Sequence, residues 1–243
     1  MKTRKKILLP VVLLAAAVFL YAGDCYRAEA PALAALESSE DVQVLLSDDR
    51  AIFLPRHPHT GLVFYPGGKV EFSAYAPLMR ELAEDGVLCL ILRMPLNLAV
   101  LDVHAGAGIP EEYPDVPNWY LAGHSLGGSM AATHLAEDSQ YQGLILLASY
   151  STADLSHTDV DILSIYGSED GVLNLEKYVQ NRENLPADTH EILLEGGNHA
   201  QFGSYGRQDG DGTPSLSPEE QLQLTANEIL TFLNGANTDE MEP

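Results

Sequence analysis

Positive charge is what this sequence lacks most. Against 35 acidic residues it has only 13 basic ones, a formal charge of −22 over 243 residues. Four of the bases (Lys2, Arg4, Lys5, Lys6) precede the first acid, Asp24, so residues 24–243 hold nine bases against the same 35 acids, a formal −26. A body that acidic repels phosphate backbones and anionic headgroups, which excludes nucleic-acid binding. Cysteine is nearly absent: Cys25 and Cys89 make no disulfide framework, and no Cys/His cluster has zinc spacing. Cys89 lies inside the apolar run 87–92, where a buried, inert thiol is expected. Glycine (20) and proline (14) stay near average usage, so collagen-like and low-complexity architectures are excluded. There is no internal repeat and no sign of a second domain.

Long apolar runs are scarce too. The longest, Ile7–Gly23, has 17 uncharged residues behind the basic cap 1–6, the short limit for crossing a bilayer. Two readings compete. One is a cleaved secretory signal with Ala28-Glu29-Ala30 as an A-x-A site. The other, preferred here, is an uncleaved anchor, because Pro31 follows the cut unfavourably and the run exceeds a usual signal core. The positive-inside rule then puts residues 1–6 in the cytoplasm and the body outside, as a single-pass membrane protein; cleavage would make it secreted. The expected organisation is a cap and anchor over 1–23, a juxtamembrane stretch over 24–41, one domain over 42–234 and a disordered polar tail over 235–243. Contact with the membrane is expected through the N-terminal segment only.

What the body does have is alternation. Strands are expected at Val42–Leu46 and Ala51–Leu54 around a Ser47–Arg50 turn, then at Gly61–Tyr65, Val87–Leu92, Trp119–Ala122, Gly143–Leu147, Ile162–Tyr166 and Thr189–Leu194. Helices are expected at Ala74–Glu84, Leu126–Ala136 and Leu173–Asn184, and from Ser217-Pro218-Glu219-Glu220, a capping box, onward. Strands alternating with helices predict an α/β fold: a mostly parallel, doubly wound sheet covered on both faces, with an antiparallel edge made by the first two strands. Between the strands ending at Leu147 and starting at Ile162 the chain is too short for a lid domain.

The chemistry-bearing stretch is Gly123-His124-Ser125-Leu126-Gly127, a G-x-S-x-G between a strand and a helix. A sharp strand-to-helix turn would set the Ser125 hydroxyl at a helix N-terminus. The Leu126 N–H would then point at a developing oxyanion. Such a serine needs a base, and the base an orienting acid. In this architecture they follow in the order acid, then histidine. Asp170, in the loop after Ile162–Tyr166, is the candidate acid, with Glu169 as fallback. His199, after Gly196-Gly197 on the last sheet loop, is the candidate base. Among the other histidines His104 is the one worth testing, and His124 is expected to pack rather than react. A second oxyanion donor should come from the loop Pro66-Gly67-Gly68-Lys69, with Gly68 N–H as first choice and Lys69 N–H as second. That loop matches no phosphate-binding pattern. Leu96, Leu98, Tyr150 and Phe202 are candidate walls of an open cleft, or core. Asp209-Gly210-Asp211-Gly212 has too few carboxylates for calcium and reads as a solvated loop.

With these stretches in place, the chain over about 42–234 resembles the α/β-hydrolase fold. It looks closest to the small, lidless branch that holds dienelactone-hydrolase-like enzymes. Phe64–Val70, Arg93–Ala99 and Gly196–Gly203 resemble a bacterial membrane-anchored subgroup of it. The resemblance implies a nucleophile, acid and base at Ser125, Asp170 and His199. It departs in Pro66, where many relatives have His, and in a serine where true dienelactone hydrolases have cysteine. The expected function is a serine hydrolase acting on a small-molecule carboxylic ester or related acyl group, with no metal and no other cofactor. A silent cell-surface binding module and a cofactor-free haloperoxidase are the alternatives.

Overall fold

The structure is a computed structural model that describes residues 24–138 and 140–239. Eight strands form one sheet in the order β1-β2-β4-β3-β5-β6-β7-β8. They are β1 (Val42–Leu46), β2 (Arg50–Pro55), β3 (Thr60–Tyr65), β4 (Val87–Leu92), β5 (Asn118–His124), β6 (Gly143–Leu147), β7 (Asp161–Gly167) and β8 (His190–Leu194). β1 pairs antiparallel with β2, and β2 antiparallel with β4; every later pairing is parallel. The expected α/β class, mostly parallel sheet and antiparallel edge are all present, and there is no lid between β6 and β7. Chain order reverses at β3, which has β4 on one side and β5 on the other. In an open α/β sheet such a switch point opens a crevice at the carboxyl ends of the strands.

The central strand runs are continuously apolar because both faces are covered. On β3 and β4 every residue is buried. Leu62, Phe64, Cys89, Ile91, Tyr120 and Ala122 face one core, and Val63, Tyr65, Leu88, Leu90, Trp119 and Leu121 the other. Helices α2 (Ala76–Glu84) and α6 (Pro218–Asp239) cover the first, and α4 (Leu126–Leu135) covers the second. Each fully buried Leu, Ile or Phe side chain is worth about 1.5–3 kcal/mol. Cys89 is fully buried, and that burial pushes its thiol well up, as an inert core residue requires.

Boundaries shift where side chains intervene. The helix expected from Ala74 begins as a 3-10 turn over Phe72–Tyr75, and the α-helix starts at Ala76 with Pro77 in its first turn. The helix expected over Leu173–Asn184 is α5 (Leu175–Gln180), capped by Asn174 Oδ1 on the Lys177 N–H, followed by a 3-10 turn over Asn181–Asn184. The α6 capping box is reciprocal: Glu220 N–H donates to Ser217 Oγ and Ser217 N–H to Glu220 Oε2. One short helix, α3 (Ile109–Glu112), escaped the sequence pattern, while α1 (Ala30–Ala34) lies in the stretch 28–41 read as a juxtamembrane helix or linker. The stretch expected as a disordered tail from residue 235 continues α6, through Gly235, as far as Asp239.

The stretch 24–41, expected as a juxtamembrane linker, is packed on the body. Ala32 of α1 is fully buried, and Tyr26, Ala28, Ala35 and Leu36 lie against the first core. Among the described residues no helix is long and apolar enough to cross a membrane. The candidate anchor Ile7–Gly23 lies outside the described residues.

Candidate active site

β5 ends in His124, and the next residue, Ser125, takes φ 53° and ψ −123° before α4 begins at Leu126. An L-residue in that region is strained by about 1–3 kcal/mol, so its neighbours must hold it there. They do so by closeness. A Cβ on Gly123 would sit 2.5 Å from Gly128 N, and one on Gly127 would sit 2.1 Å from Tyr65 O. The elbow is therefore threaded between α4 and the end of β3, and both glycines of the motif are obligatory. Ser125 N–H donates to Leu147 O, and Ser149 Oγ–H donates to Ser125 O, which fixes the turn from the β6 side.

The candidate base and acid meet as expected. His199 and Asp170 are each 1% exposed at the side chain, with His199 Nδ1 2.8 Å from Asp170 Oδ2. A carboxylate only accepts, so the imidazole proton is on Nδ1 and Nε2 carries the lone pair. Asp170 Oδ1 accepts the Val172 and Leu173 N–H groups at 2.8 and 2.7 Å, which leaves Oδ2 to the histidine. His199 Nε2 is buried and has no hydrogen-bond partner among the described residues. The fallback Glu169 is exposed, and among the described residues its carboxylate accepts only the Ser168 hydroxyl.

The oxyanion loop sorts its own amides. Gly67 N–H is engaged by Tyr75 Oη at 3.0 Å, and Lys69 N–H by Asn97 O at 2.8 Å. This removes Lys69 as the second-choice donor: its amide holds the loop after β4 instead. Gly68 N–H makes no hydrogen bond among the described residues, and neither does Leu126 N–H. The two residues abut, since a Cβ on Gly68 would lie 3.0 Å from Leu126 Cδ2. Register puts them together: Tyr65 at the end of β3 pairs with Gly123 of β5.

His124 is more connected than its expected packing role implies. Tyr75 Oη accepts the Gly67 N–H and shares a second hydrogen bond with His124 Nδ1 at 2.8 Å. The His124 ring lies 4.5 Å, centroid to centroid, from that of His199. Burial, then the adjacent His199 imidazole, hold His124 well below the usual histidine range, with the His199 backbone opposing weakly. Burial likewise pushes the Tyr75 phenol up, so it remains a donor. The oxyanion loop, Tyr75, His124 and His199 thus form one buried row.

The remaining candidates scatter. Leu96 is exposed, while Leu98 and Tyr150 are half-buried. Phe202 is 3% exposed with its ring 5.8 Å from that of His124, and it also lines a cavity of about 340 Å³. His104 stands apart, its Nδ1 3.1 Å from that of buried His134. Two cavities of about 340 and 390 Å³ lie behind the histidine loop and share Glu29, Gln201, Gly203, Ser204 and Pro218; Ser125 lines neither.

One residue the sequence reading passed over is Asp211. It is no solvated loop charge: its carboxylate accepts the N–H groups of Gly171, His199, Ala200 and Gly212 at 3.1, 3.2, 2.8 and 2.9 Å. It ties the acid loop to the base loop. An aspartate between two glycines carries no local sign of partners 40 and 12 positions away.

Strain has the same address. Among the described residues five non-glycine residues have positive φ: Lys69, Leu96, Asn97, Ser125 and Ala148. They fall in the loops after β3, β4, β5 and β6, the carboxyl rim on which Ser125 sits.

Comparison with known proteins agrees with this fold. A family model described as "Alpha/beta hydrolase family" matches residues 61–223. Among solved structures, TT1662 from Thermus thermophilus aligns with TM-score 0.60 and 18% identity, over 80% of this chain and 97% of its own. Dienelactone hydrolase from Anabaena variabilis aligns at 0.58 and 14%, over 77% and 97%. Thermogutta terrifontis esterase 2, phosphoramylated by tabun, aligns at 0.55 and 15%, over 80% and 96%. At these identities the structures speak for the fold alone. No curated protein matches the sequence.

Proposed function

Because this chain belongs to the alpha/beta hydrolase family, we propose that it is a serine hydrolase that cleaves a small carboxylic ester, or a related acyl substrate, through an acyl-enzyme. The observation that carries this reading is the buried His199–Asp170 pair, whose free Nε2 belongs to a ring packed on His124, next to the strained Ser125. Ser125 Oγ attacks the acyl carbon while His199 Nε2 takes the hydroxyl proton. Asp170 holds the imidazole and stabilises its charged form. The carbonyl electron pair moves onto oxygen between the Leu126 and Gly68 amides, where a preorganised donor is worth about 10²–10³ in rate. As the oxygen's electron pair returns, the bond to the alcohol breaks, and His199 gives that alcohol its proton. Water then repeats the sequence on the acyl-serine and releases the acid.

An active-site fluorophosphonate should label the protein at Ser125, and Ser125→Ala should abolish labelling and hydrolysis, a loss of about 10⁴–10⁶ in turnover. Labelling that survives the substitution rejects this reading; an unreactive parent favours the silent binding module. The same proposal places the enzyme at the membrane, tethered through Ile7–Gly23 with its body outside. The motive is the basic cap and uncharged run. Protease added to intact cells should digest the body, and recovery of a soluble form beginning near Pro31 in the culture fluid would reject the tether.

A further inference from the structure

Residues 24–29 are zipped onto the loops that shape the site. Tyr26 N–H donates to Lys69 O at 2.8 Å, and Glu71 N–H donates to Tyr26 O at 2.9 Å, so Tyr26 forms a parallel bridge with Val70. Ala28 N–H donates to Glu71 Oε2 at 3.0 Å, and Lys69 Nζ pairs with Asp24 at 3.0 Å. These four hydrogen bonds and ion pairs hold the oxyanion loop from one side. The same stretch grips the base loop from the other. Glu29 N–H donates to Ser204 O at 2.9 Å, Asp209 N–H to Tyr26 Oη at 3.2 Å, and the Tyr26 ring lies 5.5 Å from that of Tyr205. Tyr205 in turn is 6.5 Å from Tyr75, the residue that holds Gly67.

We propose that residues 24–29 are a built-in part of the active site, a strap that holds the oxyanion loop and the histidine loop in register, so that the active enzyme must retain them. The inference rests on the acyl-transfer reading for what the two loops do. Its physical basis is the position of the contacts. Lys69 has φ 61°, a conformation its neighbours must enforce, and its carbonyl and ammonium are both bonded to the strap while its N–H is bonded to Asn97. The free Gly68 amide is the adjoining residue. A displacement of the loop by an ångström would take that amide out of reach of a developing oxyanion, where distance decides the rate. Removal after Ala30 would take away every strap contact and cut inside α1, beside the fully buried Ala32. Processing at the A-x-A site and activity are therefore mutually exclusive.

The test uses the full chain. Proline at position 26 has no N–H, so Tyr26→Pro deletes the bond to Lys69 O along with the ring. Hydrogen exchange over residues 66–71 and 200–209 should quicken while the central strands stay protected. The rate of fluorophosphonate labelling should fall about tenfold or more, with kcat reduced more than KM is raised. Tyr26→Phe keeps both backbone bonds and should restore most of the labelling rate. Should Tyr26→Pro fail to fold, Glu71→Ala, which removes only the side-chain bond to Ala28 N–H, is carried through the same two measurements. Exchange over 66–71 that stays at the parent rate overturns the proposal. So does quickened exchange with unchanged labelling and kcat. The acyl-transfer reading stands or falls separately, on Ser125→Ala in the parent.

Discussion

Asp211 accepts four backbone N–H groups from three segments, and no neutral side chain can replace it. In Asp211→Asn one acceptor oxygen becomes a donor facing the amides it formerly bound. Losing hydrogen bonds to a charged acceptor costs about 1.5–3 kcal/mol. Expressed in the transition state, that is about a 10–100-fold loss of kcat. Steady-state rates on a short ester should show it with KM nearly unchanged, and a loss confined to melting temperature would make Asp211 merely structural. The glycines divide in the same way. Gly127→Ala drives a Cβ onto the Tyr65 carbonyl at 2.1 Å and should destabilise the fold by about 1–3 kcal/mol or more. Gly68→Ala meets only the flexible end of Leu126 at 3.0 Å, so labelling should drop while the melting temperature holds. At this scale the sequence was readable where chemistry forces a residue type at a fixed offset. Gly123 and Gly127 around the positive-φ Ser125 are such a case, since a Cβ at either would strike backbone. It was unreadable where the outcome depends on which remote carbonyl or carboxylate an amide meets. Lys69 N–H turns to Asn97, and Asp211 reaches Gly171.

Among the elements, the central strands could be read almost to the residue because two buried faces demand unbroken apolar runs with sharp polar ends. β4 and β6, buried at every residue, begin and end where expected. Helix starts were harder, since Asp170 and Asn174 hold the amides that would otherwise lead into α5. The crossover between β4 and β5 has no period at all. The α6 box makes a direct prediction: Ser217→Ala should cost about 1 kcal/mol, read from the denaturation midpoint, without changing labelling. Acid offers a second. Burial chiefly holds His124 and His134 below their ordinary 6.5, with Asp138 and Glu137 opposing and His104 assisting at the latter. The unfolded chain thus binds protons that the folded one refuses. Stability is therefore complete above about pH 6.5 and falls as pH drops below it. Melting temperatures measured across that range should decline, and His134→Gln should make the decline shallower.

For the molecule as a whole, the excess of acids acts at a distance. With a formal −22, the surface repels anionic substrates over about a Debye length. Raising ionic strength should quicken hydrolysis of an anionic short-chain ester and leave a neutral one almost unchanged; equal salt response would mean that the site mouth carries a local field of its own. The charge and the parallel sheet were both open to reading from the sequence alone. The docking of 24–36 onto the body was not, because a short Ala-rich stretch next to an apolar run resembles a spacer until its partners are known. The left-handed residues along the rim have a thermal consequence. Lys69, Leu96, Asn97, Ser125 and Ala148 each store conformational energy that only the surrounding contacts retain, whereas the strands beneath are relaxed. On heating, the rim should let go first, so that the enzyme goes blind to its probe while the sheet still shows full ellipticity.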